Sequence, residues 1–288
     1  MDEAVKEGAP PPVRRAGFQG ALGAFSEEAV LVLAPDAEPI PRSTFQEVVR
    51  AVERGDDDVG VVPVENSLAG TVVEAYDALA EGDVTVVAEV AIPIRHCLLG
   101  VADTQLDGLR EVRSHPVALA QCRGFFAAHP GIQARAVYDT AGAALEVAEL
   151  ADRGVAAIAS ARAGDRYGLD VLQRDLQDRD DNQTRFYMIV PGRADDDGRR
   201  SDERLKTSCV AELENRPGSL HELLGVFAAR GLSLTHVTSR PAPTPWTYRF
   251  IVEFAHASAG EAEAALEEAR ALTTKLRVLG TFGTSAGP

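Results

Sequence analysis

Two kinds of hydrophobic run alternate along most of this chain. Short β-branched runs, some apolar at nearly every position, are separated by segments whose apolar residues recur at helical spacing. Val59 to Val64 is nearly continuous, as expected of a strand buried on both faces. Arg14–Phe18, Val84–Val90, Ile92–Leu99, Glu111–Arg113, Ile132–Tyr138, Val155–Ala159 and Leu169–Leu172 read as further strands. Helices are expected from Phe25 to Leu33, from Thr44 to Val52, from Thr71 onward, from Val117 to Ala128, from Thr140 to near Gly154, and after Ser160. Strands alternating with helices predict an α/β fold with mainly parallel sheets. Residues 13–191 are read as two lobes, with the chain crossing near Ile92 and again near residue 180, in the acidic loop Asp175–Asp181.

The pattern changes at Pro191. Residues 192–204 are charged, carry glycine and hold almost no large apolar side chain, so they read as a linker. Beyond them, Thr207–Leu213, Leu232–Arg240, Trp246–Phe254 and Lys275–Phe282 read as strands. Helices are expected from an opening at Asn215–Leu220 to Arg230 and from Glu261 to Thr273. The order βαββαβ over residues 205–283 predicts a ferredoxin-like unit. Such a small unit gains by pairing one sheet face with another copy, which predicts dimerisation. Residues 1–12, ending in three prolines, read as a disordered tail.

Composition narrows the function classes. Apolar residues make up 45% of the 288, enough for a sizeable core, and the formal net charge is −15. No basic patch is visible, which argues against a nucleic-acid partner. No apolar run reaches the length of a membrane span. Three cysteines without a C-x-x-C pair, and no leader-like apolar segment, point to a reducing, cytoplasmic setting. If the substrate is an anion, so acidic a protein must build its own local positive potential.

Candidate chemistry gathers where strands hand over to helices. A Ser or Thr stands at such a junction at Ser26, Ser67/Thr71, Ser114, Thr140 and Ser160. Each junction offers a hydroxyl and open backbone N–H groups that can hold an anion without a lysine, and each is equally explained as an ordinary cap. The glycines of Gln19-Gly20-Ala21-Leu22-Gly23 match neither nucleotide-binding loop and permit a tight turn. Asn66 and Ser67 follow the buried strand at the end where α/β sheets place their binding residues, and they also suit a turn and a cap. His96 is read as packing or capping. Asn182-Gln183-Thr184-Arg185-Phe186 is a polar lip that runs straight into an apolar strand, with Phe186 as its core anchor.

Five motifs in order carry a resemblance. Gln19-Gly20 through Gly23-Ala24-Phe25-Ser26, Pro63-Val64-Glu65-Asn66-Ser67, Ser114-His115-Pro116 with Gln121-Cys122, Asp139-Thr140-Ala141, and Asn182 with Thr184-Arg185-Phe186 together resemble prephenate dehydratase. The C-terminal unit resembles its ACT regulatory domain. The resemblance implies a catalytic part of the two-lobed periplasmic-binding-protein-like type 2 fold, with the site between the lobes. It implies decarboxylating dehydration of prephenate to phenylpyruvate without a metal or other cofactor, inhibited by phenylalanine at the ACT unit of a homodimer or homotetramer.

By the same resemblance, Thr184, Ser114, Asn66 and Gln121 are catalytic. Ser26, Glu65, Ser67, His115, Thr140, Asn182, Arg185 and Phe186 bind substrate. Arg185 is expected to grip a carboxylate bidentately, while Glu65 is more readily a brace than an acid. His115 either donates a proton or orders the Ser114 loop. Asn215, Pro217, Gly218, Ser219 and Leu220, with Ser239, Arg240 and Pro241, resemble the two effector motifs. Two departures stand out: Gln19-Gly20 replaces the usual Gly-Pro, and Thr238 replaces the usual acid. Gln19-Gly20 and the Thr140–Ala144 run also resemble arogenate dehydratases, an alternative activity. A ligand-binding protein without chemistry is the rival from another class.

Overall fold

The computed structural model describes residues 12–192, 205–242 and 244–283. The expected tail and linker therefore lie outside the described residues, except for Pro12 and Gly192.

The first lobe opens with β1 (Arg15–Gln19), α1 (Phe25–Leu33), β2 (Glu38–Arg42), α2 (Phe45–Glu53) and β3 (Val59–Asn66). β4 (Gly70–Thr71), α3 (Val73–Glu81) and β5 (Val84–Pro93) follow, and the chain then leaves for the second lobe. There it forms β6 (Cys97–Gly100), β7 (Glu111–Ser114), α4 (Pro116–Ala120), α5 (Arg123–Ala128) and β8 (Gln133–Ala136). The lobe is completed by α6 (Thr140–Leu150), β9 (Val155–Ala159), α7 (Ala161–Tyr167) and β10 (Asp170–Gln173). β11 (Gln183–Pro191) returns to the first lobe and inserts between β3 and β5. The two crossing segments are tied together where Ile94 N–H donates to Asn182 O at 2.8 Å.

The sheets are mixed rather than mainly parallel. β1 pairs in parallel with β2 and β3, and β7 with β8 and β9. β11 runs antiparallel to β3 and β5, and β6 antiparallel to β9 and β10. Strands that leave a lobe and return must run against their neighbours, and a reading of local strand–helix alternation is blind to that. The expected helix from Val117 to Ala128 is two helices, broken at Gln121-Cys122. Asp178, from the acidic loop before β11, accepts from Arg123 N–H and Gly124 N–H and so caps the second of them. Thr71 lies in β4, and α3 starts two residues later, at Val73.

The C-terminal unit comprises β12 (Leu205–Glu212), α8 (Ser219–Ala229), β13 (Ser233–Pro241), β14 (Tyr248–His256), α9 (Ala259–Ala271) and β15 (Lys275–Gly283), the expected βαββαβ order. Its antiparallel sheet runs β13-β14-β12-β15. Period-two alternation splits this sheet cleanly. Cys209, Ala211, Val252 and Phe254 face α8 and α9, while Val210, Ile251, Leu279 and Phe282 join the core of the first lobe. The sheet face expected to meet a second copy is therefore covered by the chain's own first lobe. The approach is close enough that a Cβ on Gly280 would sit 2.0 Å from Val86 O.

Candidate active site

A cavity of about 660 Å³ lies between the two lobes. The first lobe contributes Gln19, Phe25, Ser26, Asn66 and Thr184, and the second His115, Gln121, Tyr138, Asp139 and Thr140. Ile94 and His96 line it from the crossing segment.

Its floor is a net of amides and one hydroxyl. Asn66 Nδ2 donates to Thr184 Oγ1 at 2.9 Å, to Asn182 Oδ1 at 2.8 Å and to Gln183 O at 3.0 Å. Asn182 Nδ2 donates to Gln121 Oε1 at 3.0 Å, and His96 Nε2 lies 3.0 Å from the same oxygen. Asn66 Oδ1 accepts from Leu68 and Ala69 N–H, which fixes the loop after β3. Because Thr184 Oγ1 is the acceptor of the Asn66 bond, its own hydrogen is free to point at a ligand. Gln121 Oε1 is an acceptor only, so the proton of His96 is assigned to Nε2, and Nδ1 is left buried without a partner among the described residues. Burial pulls the pKa of His96 down, and it does the same to His115 against the opposing pull of Asp139. Both imidazoles are therefore neutral near pH 7.

A β-bulge aims this floor. Thr184 pairs with Asn66 and Arg185 with Glu65, but Phe186 pairs with Pro63, so Val64 is an extra residue on β3. Strict alternation from Val62 would turn Glu65 into the cleft and Asn66 away from it. The extra residue reverses this, so that Val64 and Glu65 share the side facing the C-terminal unit and Asn66 faces the cleft.

Several expected ligand contacts are corrected by this geometry. Arg185 alternates with Thr184 and points away from the cleft. Its guanidinium pairs with Glu65 at 3.0 Å, Glu89 at 3.0 Å and Glu253 at 2.8 Å. It cannot hold a substrate carboxylate from there. Glu65, on the same side, braces Arg185 and lies 3.5 Å from His236 Nδ1. Ser114 is fully buried and donates to Ile158 O at 2.6 Å, tying β7 to β9. Ser67 donates to Asp181 O and accepts from Gln183 N–H, joining the loop after β3 to the returning crossing. Phe186 is a core residue, 2% exposed. Of the junction hydroxyls, Ser26, Thr71 and Thr140 reach the cleft wall, whereas Ser160 caps α7 and donates to Gly23 O.

No arginine or lysine is among the described residues lining the cleft. Backbone N–H groups are the donors left to it: α1 begins after Ala24 with no side-chain cap, and its first turn holds Ser26 beside Glu27 and Glu28, of which Glu27 accepts from Gly23 N–H. The start of α6 is already occupied by Asp139, which accepts from Gly142 N–H at 2.5 Å. His115 plays the same part for α4, accepting from Val117 N–H at 3.2 Å. Among the described residues no His, Cys, Asp or Glu cluster is arranged to hold a metal.

His96 and Tyr138 are among the cleft residues that the sequence pattern did not mark. His96 looked like strand packing because it sits inside an apolar extended run. Tyr138 is 67% exposed, yet its hydroxyl donates to Ser43 O at 2.6 Å and accepts from Gln19 Nε2 at 3.2 Å. It is a second-lobe side chain bonded to two first-lobe groups, a latch across the cleft mouth. Its position immediately before Asp139-Thr140 was the available signal.

In the C-terminal unit, the turn Asn215 to Leu220 is closed by Ser219 Oγ donating to Glu214 O and Arg216 O, with Gly218 at φ +92°. Pro217 and Leu220 flank that cap. Ser239, Arg240 and Pro241 end the edge strand β13. Arg240 does not stand open to a ligand: with Arg249 it pairs with Asp77 of α3, at 2.6 and 2.9 Å.

Two lobes joined by two crossings, with a polar cleft between them and a ferredoxin-like unit packed on one lobe, define a periplasmic-binding-protein-like type 2 enzyme scaffold carrying a regulatory domain. Residues 16–193 match the family model for prephenate dehydratase, and residues 207–272 that for the ACT domain. The chain belongs to the prephenate dehydratase family. It is 39% identical to Arogenate dehydratase 2 of Petunia hybrida, over 95% of this chain and 72% of that one. A solved prephenate dehydratase in complex with L-Phe, from Arthrobacter aurescens, superposes with a TM-score of 0.85 at 31% identity, covering 94% of this chain and 90% of that one. GqqA, described as a novel type of quorum quenching acylase, superposes with the same TM-score and identity over 95% of this chain and 99% of that one.

Proposed function

We propose that the chain is a prephenate dehydratase inhibited by phenylalanine through its ACT domain. The observation that carries this is the Asn66–Thr184 pair: a hydroxyl whose oxygen is held by an amide and whose hydrogen is free, at the floor of a cleft. Prephenate bears two carboxylates and a ring hydroxyl. When its ring carboxylate leaves as CO2, the bonding electron pair enters the ring and the ring C–O bond breaks, giving phenylpyruvate. The departing hydroxide takes up one proton and leaves as water. Thr184 donates its hydrogen bond to that leaving oxygen, and such positioned stabilisation contributes ~10²-fold or more. Asn66, Asn182 and Gln121 keep the hydroxyl aimed. The first turn of α1 with Ser26, and Thr140 opposite, receive the carboxylates. This assignment moves charge recognition from Arg185 to helix N–H groups and neutral donors.

A second reading, arogenate as substrate, is favoured by one feature. Asp139 and Glu74 line a cleft with no lysine or arginine among its described residues, and arogenate carries an ammonium where prephenate carries a ketone. An acyl-transfer reading, prompted by GqqA, needs an activated nucleophile, whereas Thr184 Oγ1 accepts from an amide rather than donating to a base. We place the chain in the cytoplasm and assemble it as a dimer or tetramer. Support for assembly is the edge strand β13 with exposed Val237, Trp246 and Tyr248 beside it.

The test is formation of phenylpyruvate from prephenate, followed by absorbance, against phenylalanine formation from arogenate, each with and without added phenylalanine. A higher kcat/KM on prephenate, reduced by phenylalanine, is expected. Preference for arogenate would replace the substrate, and no turnover of either would end the enzymatic reading.

A further inference from the structure

We propose that Arg185 is a positioning residue for the cleft, and that Glu253 of the ACT sheet acts on Thr184 through it; this rests on the dehydratase reading above. The ladder between β3 and β11 carries two successive cross-strand pairs that face opposite ways: Asn66–Thr184 toward the cleft and Glu65–Arg185 toward the ACT domain. Thr184 and Arg185 are consecutive in β11 and both are paired with β3 and β5, so a displacement of the strand at Arg185 bears on Thr184.

Arg185 is held from both sides, by Glu65 and Glu89 of the first lobe and by Glu253 of the ACT sheet. Its Nη1 donates to both oxygens of Glu253, at 2.8 and 2.9 Å, and the Glu253 side chain is fully buried. Glu253 also accepts from Thr235 and from the Tyr187 hydroxyl. Lys206, on β12, joins the same cluster through Glu89 at 2.8 Å. The Arg185 guanidinium lies 5.7 Å from the centre of the Tyr187 ring, completing a socket of fixed geometry. A buried charge that loses its partner is strongly disfavoured, so displacement of Glu253 must drag Arg185 with it or break the socket.

The strands that hold Glu253 also hold the effector motif. Arg240 is opposite Arg249, and His236 opposite Glu253, along the β13–β14 ladder. At one end, Arg240 and Arg249 clamp Asp77 of the first lobe; further along, Glu253 and His236 grip Arg185 and Glu65. Ser239-Arg240-Pro241 therefore cannot move without altering one of two ionic contacts with the catalytic part. The contact at Glu253 is the one that leads directly to Thr184.

The experiment uses the full chain, with Glu253→Gln and Arg185→Lys. Phenylalanine binding is measured by calorimetry, and inhibition is scored against each variant's own uninhibited rate. For Glu253→Gln we expect binding within a few-fold of wild type but inhibition weakened about tenfold or more, within the usual size of allosteric coupling. Arg185→Lys keeps the charge and loses the planar fork, so kcat should fall about tenfold with KM little changed. If Glu253→Gln does not fold, Thr235→Val, which removes one bond to Glu253, replaces it with the same expected direction. Full inhibition in a variant that binds phenylalanine normally overturns the coupling, and wild-type kcat in Arg185→Lys overturns the positioning role. Wild type that makes no phenylpyruvate is a failure of the dehydratase reading, visible before any variant is measured, and the inference falls with it.

Discussion

Asn66 and Thr184 stand opposite one another where β3 meets β11, and the Asn66 amide donates to the Thr184 hydroxyl at 2.9 Å. They are far apart in sequence, in strands of the same lobe, and one of those strands has travelled through the other lobe in between. Thr184→Ala should lose about 10²-fold in kcat while its melting temperature stays near wild type. Steady-state rates with a thermal melt on the same sample check this. A kcat within a few-fold of wild type would remove Thr184 from the mechanism.

Tyr138 bonds across the cleft mouth from an exposed position. Tyr138→Phe deletes the hydroxyl and leaves the ring. A net hydrogen bond is worth about 0.5–1.5 kcal/mol, so KM should rise roughly 2- to 10-fold with kcat nearly unchanged. Substrate-saturation curves separate the two, and a fall in kcat alone would contradict the latch.

Ser114 belongs to the framework. Its hydroxyl satisfies the buried carbonyl of Ile158. Ser114→Ala should cost about 1–3 kcal/mol of stability, with kcat within a few-fold of wild type. Denaturant unfolding beside the rate assay tests this, and a hundred-fold loss of kcat without destabilisation would restore a catalytic role.

Arg185→Met would leave Glu253 and Glu89 buried with Lys206 as their remaining cationic partner among the described residues. Burial works to raise the pKa of Glu253, and Arg185, followed by Thr235, Tyr187 and Lys206, holds it below the usual carboxylate range. Removing one side of such a cluster costs about 3–5 kcal/mol. The loss should shrink in acid, where the carboxylates can take up protons. Unfolding curves at two pH values check the size and the sign.

His96 links stability to pH. Its folded pKa is depressed by burial. Below about 6.5 the unfolded chain binds a proton that the folded chain refuses. Its contribution is therefore intact at neutral pH and is lost as pH falls from about 6.5 toward the folded value. His96→Gln should narrow the gap in melting temperature between pH 7.5 and pH 5.5. His115 and His256, also depressed by burial, keep the gap from closing. An unchanged gap would mean that His96 is not the titrating group.

Local periodicity was enough to mark most strands and helices and the βαββαβ unit, because burial on one face or two leaves a period in the sequence. Motif order was enough to read the family. Asn66, Gln121, Asn182 and Thr184 meet in one hydrogen-bonded floor, although Asn66, taken locally, suits a turn equally well. What only the tertiary structure decided is which way neighbouring side chains face. The extra residue Val64 turns Glu65 away from the cleft and Asn66 into it, and alternation turns Arg185 toward the ACT sheet. A bulge is a property of two paired strands, so a single strand carries no trace of it. The partners of Arg185 come from β3, β5 and β14, and no local pattern brings those three together.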